Sequence, residues 1–411
     1  MKILFLTPQL PYPPMQGTTL RNFYLLRELS RRHEIALLTF LQTGDHLTGD
    51  SPLHRLCRAI KTIPAPPRRG LAQRALTSLA SPLPDMALRL PSERLANVLR
   101  EWLAREAFDV VQVEGIEMAS YGLLLKRDGA RARLVFDDHN AEYVLQRSAF
   151  EADLRRPSRW HGALYSFVQW QKLARYERRV LLRHDAVAAV SQADAASLRQ
   201  IAPEREVFVV PNGVDTDELA SMPAPPRQAR HAPPSASASA SLVFTGKMDY
   251  RPNVDAALWF ADEILPLVRA QVPQARFVIV GQQPHARLAP LARRDDVVLT
   301  GWVEDVMPHI ASAAVYVAPL RMGGGTRFKV LQAMAMAAPI VATSLGCSRL
   351  EAQSGRELLI ADSPQDFAAA VIRLLRDESL RLHLGAQARR LAVERYDWKR
   401  IAPLMEQLYH A

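Results

Sequence analysis

Between Ser221 and Ser241 the chain reads SMPAPPRQARHAPPSASASAS, a run of proline, alanine and serine that cannot bury a core. A chain interrupted there has to build its hydrophobic interior twice, once on each side. Its length of 411 residues exceeds a usual single domain and suits two.

The two sides carry the same kind of pattern. The opening reads as strand KILFLT, loop PQLPYPPMQGTT, helix LRNFYLLRELSRR and strand EIALLTF. Leu20, Phe23, Tyr24, Leu26 and Leu29 recur at helical spacing. That is one βαβ unit, the element of a parallel sheet. Strand-length apolar runs follow at DVVQVEG, ARLVFDDHN, DAVAAVS and VFVVPNG. After the break come SLVFTG, a helix from about Asn253 to Ala270, ARFVIVG, DVVLTG, a short helix VEDVMPHIASA, AVYVAP and PIVAT. A helix over Pro364 to Arg376 and a helical tail close the chain. The pattern predicts two parallel-sheet α/β halves joined near residues 215 to 241.

Other classes fall away. Cys57 and Cys347 alone make neither a disulfide framework nor a metal cluster and suit a reducing cytosol. MKILFLT is too short for a signal-peptide core and reads as a buried first strand. No run approaches the roughly 18 apolar residues of a membrane span. The net charge of +10 favours an anionic partner, but no nucleic-acid motif is present, so nucleic acid is not expected. From Ser51 to Pro84 there is no acidic residue, whereas Arg55, Arg58, Lys61, Arg68, Arg69 and Arg74 are present. That stretch reads as a proline-interrupted surface excursion or as a seat for an anionic membrane face.

The densest chemical signal is MGGGTRFKVLQAMAMAAPIV, Met322 to Val341. Gly323, Gly324 and Gly325 let backbone approach a ligand. They precede a helix whose free amides and dipole favour an anion. Thr326 follows them, and Arg327 and Lys329 add charge, Arg gripping phosphate with two bonds. Together they describe a diphosphate cradle. TGKMDYRPN, with Gly246, Lys247 and Arg251, lies at the carboxyl end of the first strand of its half, where ligands of open α/β sheets gather. The G-x-G-x-x-G and G-x-x-x-x-G-K-[ST] fingerprints are both missing, against a nicotinamide dehydrogenase and a P-loop NTPase. In the first half, Gly17 sits between the first strand and helix, and His139 in DDHNAEY follows a strand. DTD, Asp215 to Asp217, imitates a metal-binding motif at a domain exit, and no metal ligand is expected there.

These residues resemble the group 1 glycosyltransferases of the GT-B superfamily, retaining sugar transferases, in a polysaccharide-associated branch. PNGVD (Pro211 to Asp215) is similar to the end of that family's first domain, and FTGKMDYRPNVDAALWF to the start of its second. GGGTRFKVLQAMAMAAPIVAT is similar to its nucleotide-binding block, and the tail around YDWKR to its crossover helix. The resemblance covers nearly the whole chain. It implies two Rossmann-like doubly wound domains facing a cleft: an acceptor domain over 1–215, a linker or loop over 216–241, a nucleotide-sugar domain over 242–385, and a crossover helix over 386–411.

It also implies roles. Lys247 stands where the family has an arginine, and the neighbouring family lysine falls near Pro252 and Asn253, leaving Arg251 or Lys329 to supply the charge. His139 falls where a histidine faces the donor sugar, and Gly17 at the N-terminal glycine loop. The family's paired glutamates are replaced by Gly324 and Gln332. An amide still bonds ribose hydroxyls, without charge assistance. The implied reaction moves a sugar from a nucleoside-diphosphate sugar to a saccharide or lipid-linked acceptor of exopolysaccharide or cell-surface glycan synthesis. Cations and the helix N-terminus stabilise the departing diphosphate, and no further cofactor or metal is expected. Two rivals share the fold: a sugar-nucleotide epimerase, whose acid–base candidates would be Glu114, Asp137, Asp138 and Glu142, and a nucleotide-sugar-binding protein without turnover. The expected location is cytoplasmic, with peripheral contact at the inner membrane face.

Overall fold

A computed structural model of the chain describes residues 1–154, 160–221, 240–325 and 327–410. It divides into two compact units: Met1–Asn212 with Trp398–Ala411, and Gly213–Asp397. Residues 222–239 of the Pro/Ala/Ser segment lie outside the described residues.

The first unit holds seven parallel strands: β1 (Lys2–Thr7), β2 (Glu34–Leu41), β3 (Ala59–Pro64), β4 (Val110–Glu114), β5 (Arg133–Asp138), β6 (Ala186–Ala189) and β7 (Phe208–Val209), in the order β3-β2-β1-β4-β5-β6-β7. Ile3 to Leu6 are fully buried. A parallel sheet covered on both faces explains why its strands read as continuous apolar runs. β3 lies within the acid-free stretch read above as a surface excursion. It is an edge strand paired with β2 from Ala36↔Ala59 to Leu41↔Pro64, and the edge tolerates its terminal proline. The helices used below are α1 (Gly17–Leu29), α2 (Leu71–Ala80), α3 (Ala119–Arg127), α4 (Glu142–Leu154) and α5 (Trp160–Arg183). α1 starts where the Gln16 amide donates to Thr19 Oγ1 at 2.9 Å.

The second unit holds six parallel strands: β8 (Ser241–Thr245), β9 (Arg276–Val280), β10 (Val297–Gly301), β11 (Val315–Ala318), β12 (Ile340–Ala342) and β13 (Leu359–Ile360), ordered β10-β9-β8-β11-β12-β13. Its helices include α6 (Arg251–Trp259), α7 (Phe328–Ala335), α8 (Pro364–Arg376) and α9 (Glu378–Arg395). α6 runs on through one π-helical turn, Phe260–Ile264. α8 is capped by Ser363, which accepts from the Asp366 amide at 3.1 Å. Asp215, from the DTD run, accepts the amides of Asp217 and Glu218 at 3.1 and 3.0 Å, so it caps the short helix Thr216–Ser221.

The tail is two helices. α9 stays with the second unit, its Gly385 so tight on α7's end that a Cβ would lie 2.3 Å from the Ala337 carbonyl oxygen. The return to the first unit therefore begins at Trp398 rather than at 386. α10 (Trp398–His410) docks there through Trp398, stacked on Tyr24 of α1 at 5.8 Å, and through the Leu408 carbonyl, which accepts from Arg133 at 2.8 Å. Trp398 is 1% exposed. Trp398→Ala is expected to destabilise the first unit by about 3–5 kcal/mol, since a large side chain leaves a cavity. A urea unfolding midpoint unchanged by the substitution would refute this docking.

Candidate active site

Both sheets reverse strand order beside their first strand, between β1 and β4 and between β8 and β11. The carboxyl ends at such a switch point are where open α/β sheets hold ligands. The residues singled out from sequence collect at those two places.

In the second unit, Gly246 follows β8 and the glycine-rich loop follows β11. Gly323 and Gly325 have φ of +99° and +83°, a left-handed backbone that side chains resist. A Cβ at Gly323 would lie 3.1 Å from Pro252 Cγ, so the loop rests on the first turn of α6. Arg327 is 6% exposed and donates to the carbonyls of Gly323 (2.7 Å), Gly324 (3.1 Å) and Leu345 (3.2 Å). Its guanidinium braces the loop from beneath. Thr326 lies outside the described residues.

Lys329 reaches back from α7 to the β8 end. Its Nζ donates to Asn253 Oδ1 at 2.7 Å and sits 4.5 Å from the centre of the Phe244 ring. Asn253 in turn donates to the Lys247 carbonyl at 2.8 Å. A Cβ at Gly246 would come within 2.5 Å of Lys329 Nζ, and one at Gly281 within 1.7 Å of the Gly246 carbonyl oxygen. Bare backbone at both positions is what admits the lysine. Burial first, then the charge of Arg327, lowers the Lys329 pKa to about 7. Lys247 is exposed and 3.3 Å from Asp249, while Arg251 is exposed at the first position of α6. Gln332 is half-buried on α7, one turn beyond Lys329.

In the first unit, Gly17 is the exposed first residue of α1. One turn on, Arg21 is buried and grips Asp137 with two bonds, at 2.6 and 2.8 Å, while also donating to Pro211 O and Asn212 Oδ1. His139 Nε2 meets Glu114 Oε2 at 2.9 Å. The Gln112 amide donates to Glu114, and the Tyr409 hydroxyl of α10 donates to Gln112. Burial, then the charge of Asp137, pushes the Glu114 pKa up, against His139 and Arg21. For His139 burial pulls the pKa down, but the Glu114 bond and the Asp137 charge outweigh it and the net shift is upward. Glu114, Asp137 and His139 offer ligand atoms within 4.8 Å of one another. Both oxygens of Asp137 already accept from Arg21, so the trio is a buried charge network with the imidazole at its edge. Asp138 is buried beside it, its pKa held well above the usual range by burial and then by Glu177.

Sequence reasoning missed Asn253 as a side-chain partner, Gly281 as a contact residue, and Arg21 and Gln112 altogether. The strand-terminal glycine of ARFVIVG was a usable signal. Arg21 carried none, because a charged helical residue normally faces water. In the acid-free stretch, Arg69 and Arg74 both bond Asp85, at 3.0 and 3.1 Å, just past its end. Among the described residues no helix is long and apolar enough to cross a membrane.

Comparison with known proteins points one way. A family model described as Glycosyltransferase Family 4 matches residues 15–218, and one described as Glycosyl transferases group 1 matches residues 239–377. The chain is 27% identical over 322 residues to the phosphatidyl-myo-inositol mannosyltransferase of Mycolicibacterium smegmatis, covering 76% of this chain and 73% of that protein. It is 21% identical over 413 residues to an uncharacterized 44.6 kDa protein in the cps region of Klebsiella pneumoniae, covering 97% of each. Anabaena HepE, solved in complex with UDP and glucose, superposes with a TM-score of 0.67 at 16% identity, over 100% of both chains.

Proposed function

Since this chain belongs to the group 1 glycosyltransferases, with the two α/β domains of the GT-B fold, we propose that it transfers a sugar from a nucleoside-diphosphate sugar to a saccharide or lipid-linked acceptor, with retention of configuration. The observation that carries this reading is the meeting of Lys329, Gly246 and the Gly323–Gly325 loop at the β8–β11 switch point. Breaking the bond to the anomeric carbon leaves negative charge on the departing diphosphate. In this reading the Lys329 ammonium, the exposed Lys247 and Arg251, and the amides opening α7 receive it. Gln332 bonds the ribose hydroxyls.

In the first unit, His139 Nε2 is held by Glu114, which leaves Nδ1 for a hydroxyl of the donor sugar. Gln112 donates to the carboxylate that holds the ring, and Asp137, itself gripped by Arg21, lies 3.8 Å from the same imidazole nitrogen. The departing phosphate takes the acceptor proton on the face it leaves, and no protein nucleophile is used. The relatives supply the starting candidates. HepE binds UDP and glucose, the mycobacterial relative is a phosphatidyl-myo-inositol mannosyltransferase, and the Klebsiella relative is encoded in a cps region. These favour a UDP-sugar donor and an acceptor of exopolysaccharide or cell-surface glycan synthesis, with the enzyme working at the cytoplasmic membrane face.

The test is a thermal-shift screen across UDP-, GDP- and ADP-sugars, followed by incubation of the best labelled donor with and without an acceptor-containing membrane extract. Labelled product is expected only with extract, and its new linkage should keep the donor's anomeric configuration by NMR. Conversion of the donor without acceptor would instead make the protein an epimerase. A thermal shift with no product from any extract would make it a binding protein.

A further inference from the structure

In the first unit, α3 and α5 flank a groove of about 420 Å3. Lys126 and Arg127 of α3 and Arg179 and Arg183 of α5 line it, and Leu123, Leu124 and Tyr176 supply an apolar floor. None of these residues belongs to the Glu114–His139 network. Two features of the groove lack a structural explanation within the fold. The first is the Tyr176 hydroxyl. The residue is 5% exposed, and the hydroxyl has no hydrogen-bond partner among the described residues. A buried donor left in that state is destabilising, and native structures rarely keep one without a use. Burial pushes the phenol pKa upward, the Arg179 charge acts on it in the opposite sense, and the more weakly felt Glu117 charge adds to the rise. The group therefore stays a donor and lies within reach of that guanidinium's field.

The second is the charge. Arg179 and Arg183 stand four residues apart on one face of α5, where like charges repel. Among the described residues neither has an acidic partner. Lys126 and Arg127 do have partners, Asp185 at 2.5 Å and Asp128 at 3.3 Å, but these leave the α5 pair uncompensated. A groove lined by an unpartnered tyrosyl donor, two arginines and two leucines fits one kind of occupant. A phosphate ester offers three strong acceptor oxygens to the tyrosine and the arginines, and its organic part lies on Leu123 and Leu124.

We propose that this groove is a second, non-catalytic binding site for a phosphate ester, gripped by Arg179, Arg183 and Tyr176. Such an occupant reaches the protein either as a lipid headgroup or as a soluble phosphorylated compound. The site stands on its own residues and does not depend on the reading of the donor half.

Isothermal titration of the full-length protein with dihexanoyl phosphatidate below its micelle-forming concentration, and separately with inorganic phosphate, tests it. Saturable binding of at least one probe is expected. The double substitution Arg179→Gln, Arg183→Gln should weaken it about tenfold or more. Tyr176→Phe, which removes only the unpartnered hydroxyl and keeps the core packed, should weaken it about threefold. Lys329→Met should leave it unchanged. Binding of phosphatidate alone assigns the site to a lipid headgroup, and equal binding of both probes assigns it to soluble phosphate esters. Absence of binding by both probes, or binding that survives the double arginine substitution, overturns the proposal. So does binding lost in Lys329→Met, which would put the phosphate at the glycine-rich loop instead.

Discussion

Lys329→Met is expected to lower kcat about 10²–10³-fold, the usual consequence of removing one preorganised charge from a developing anion. The size follows from how the amine is held. Asn253 Oδ1 at 2.7 Å and the Phe244 ring at 4.5 Å fix Nζ, and the glycine backbone at 246 crowds it, so little reorganisation remains when the diphosphate departs. Methionine keeps the apolar stem and removes the charge. A second readout separates an electrostatic role from a structural one. With its pKa near 7 in the free protein, Lys329 is largely charged below pH 7 and largely neutral above it. A bound diphosphate favours the ammonium and raises that pKa. Donor affinity in the parent protein should therefore be greatest below pH 7 and fall as pH rises, by up to about tenfold per unit until the pKa of the complex is reached. In Lys329→Met this part of the pH dependence should vanish. A donor Kd flat from pH 6 to 9 in the parent protein would remove Lys329 from the diphosphate site.

Arg21→Met should destabilise the first unit by about 3–5 kcal/mol, because it leaves a buried carboxylate without its partner. Arg21 and Asp137 are both essentially inaccessible, and the guanidinium also satisfies Pro211 and Asn212 at the end of the first unit. Its charge also opposes the burial that pushes Glu114 up, so its loss should move the Glu114 pKa further up and slacken the hold on His139. Chemical denaturation should show the loss directly. Arg21→Met combined with Asp137→Leu should recover most of the stability, as removal of a whole buried pair usually does. It should not recover turnover, since the Asp137 carboxylate beside the His139 imidazole is still gone. Equal stability of the single and double variants would show that the pair is not what Arg21 supplies.

The fold could be read because strands buried on both faces announce themselves. KILFLT, EIALLTF and SLVFTG match β1, β2 and β8 almost residue for residue. β3 could not be read because it is an edge. Its first four residues are half-exposed, Lys61 lies with its ammonium over the Trp102 ring, and prolines end and follow it. The glycine-rich loop was legible because left-handed turns before a helix need glycine in clusters. What the sequence hides is direction and pairing. Arg327 reads as a cation aimed at a ligand, whereas its nitrogens are bonded to loop carbonyls. Arg21 reads as a helix-surface charge, and its burial depends on a carboxylate 116 residues away that no local window contains.

The connectivity at the end of the chain has a genetic consequence. The Val214 amide donates to the Tyr396 carbonyl at 2.8 Å, and Val214 bridges Asp397, so the outgoing and incoming segments run side by side at the rim of the second unit. In sequence terms, that unit is a parenthesis opened and closed within the first. A stop codon at position 398 would therefore strike the unit translated earlier, while the unit it directly follows kept every one of its strands.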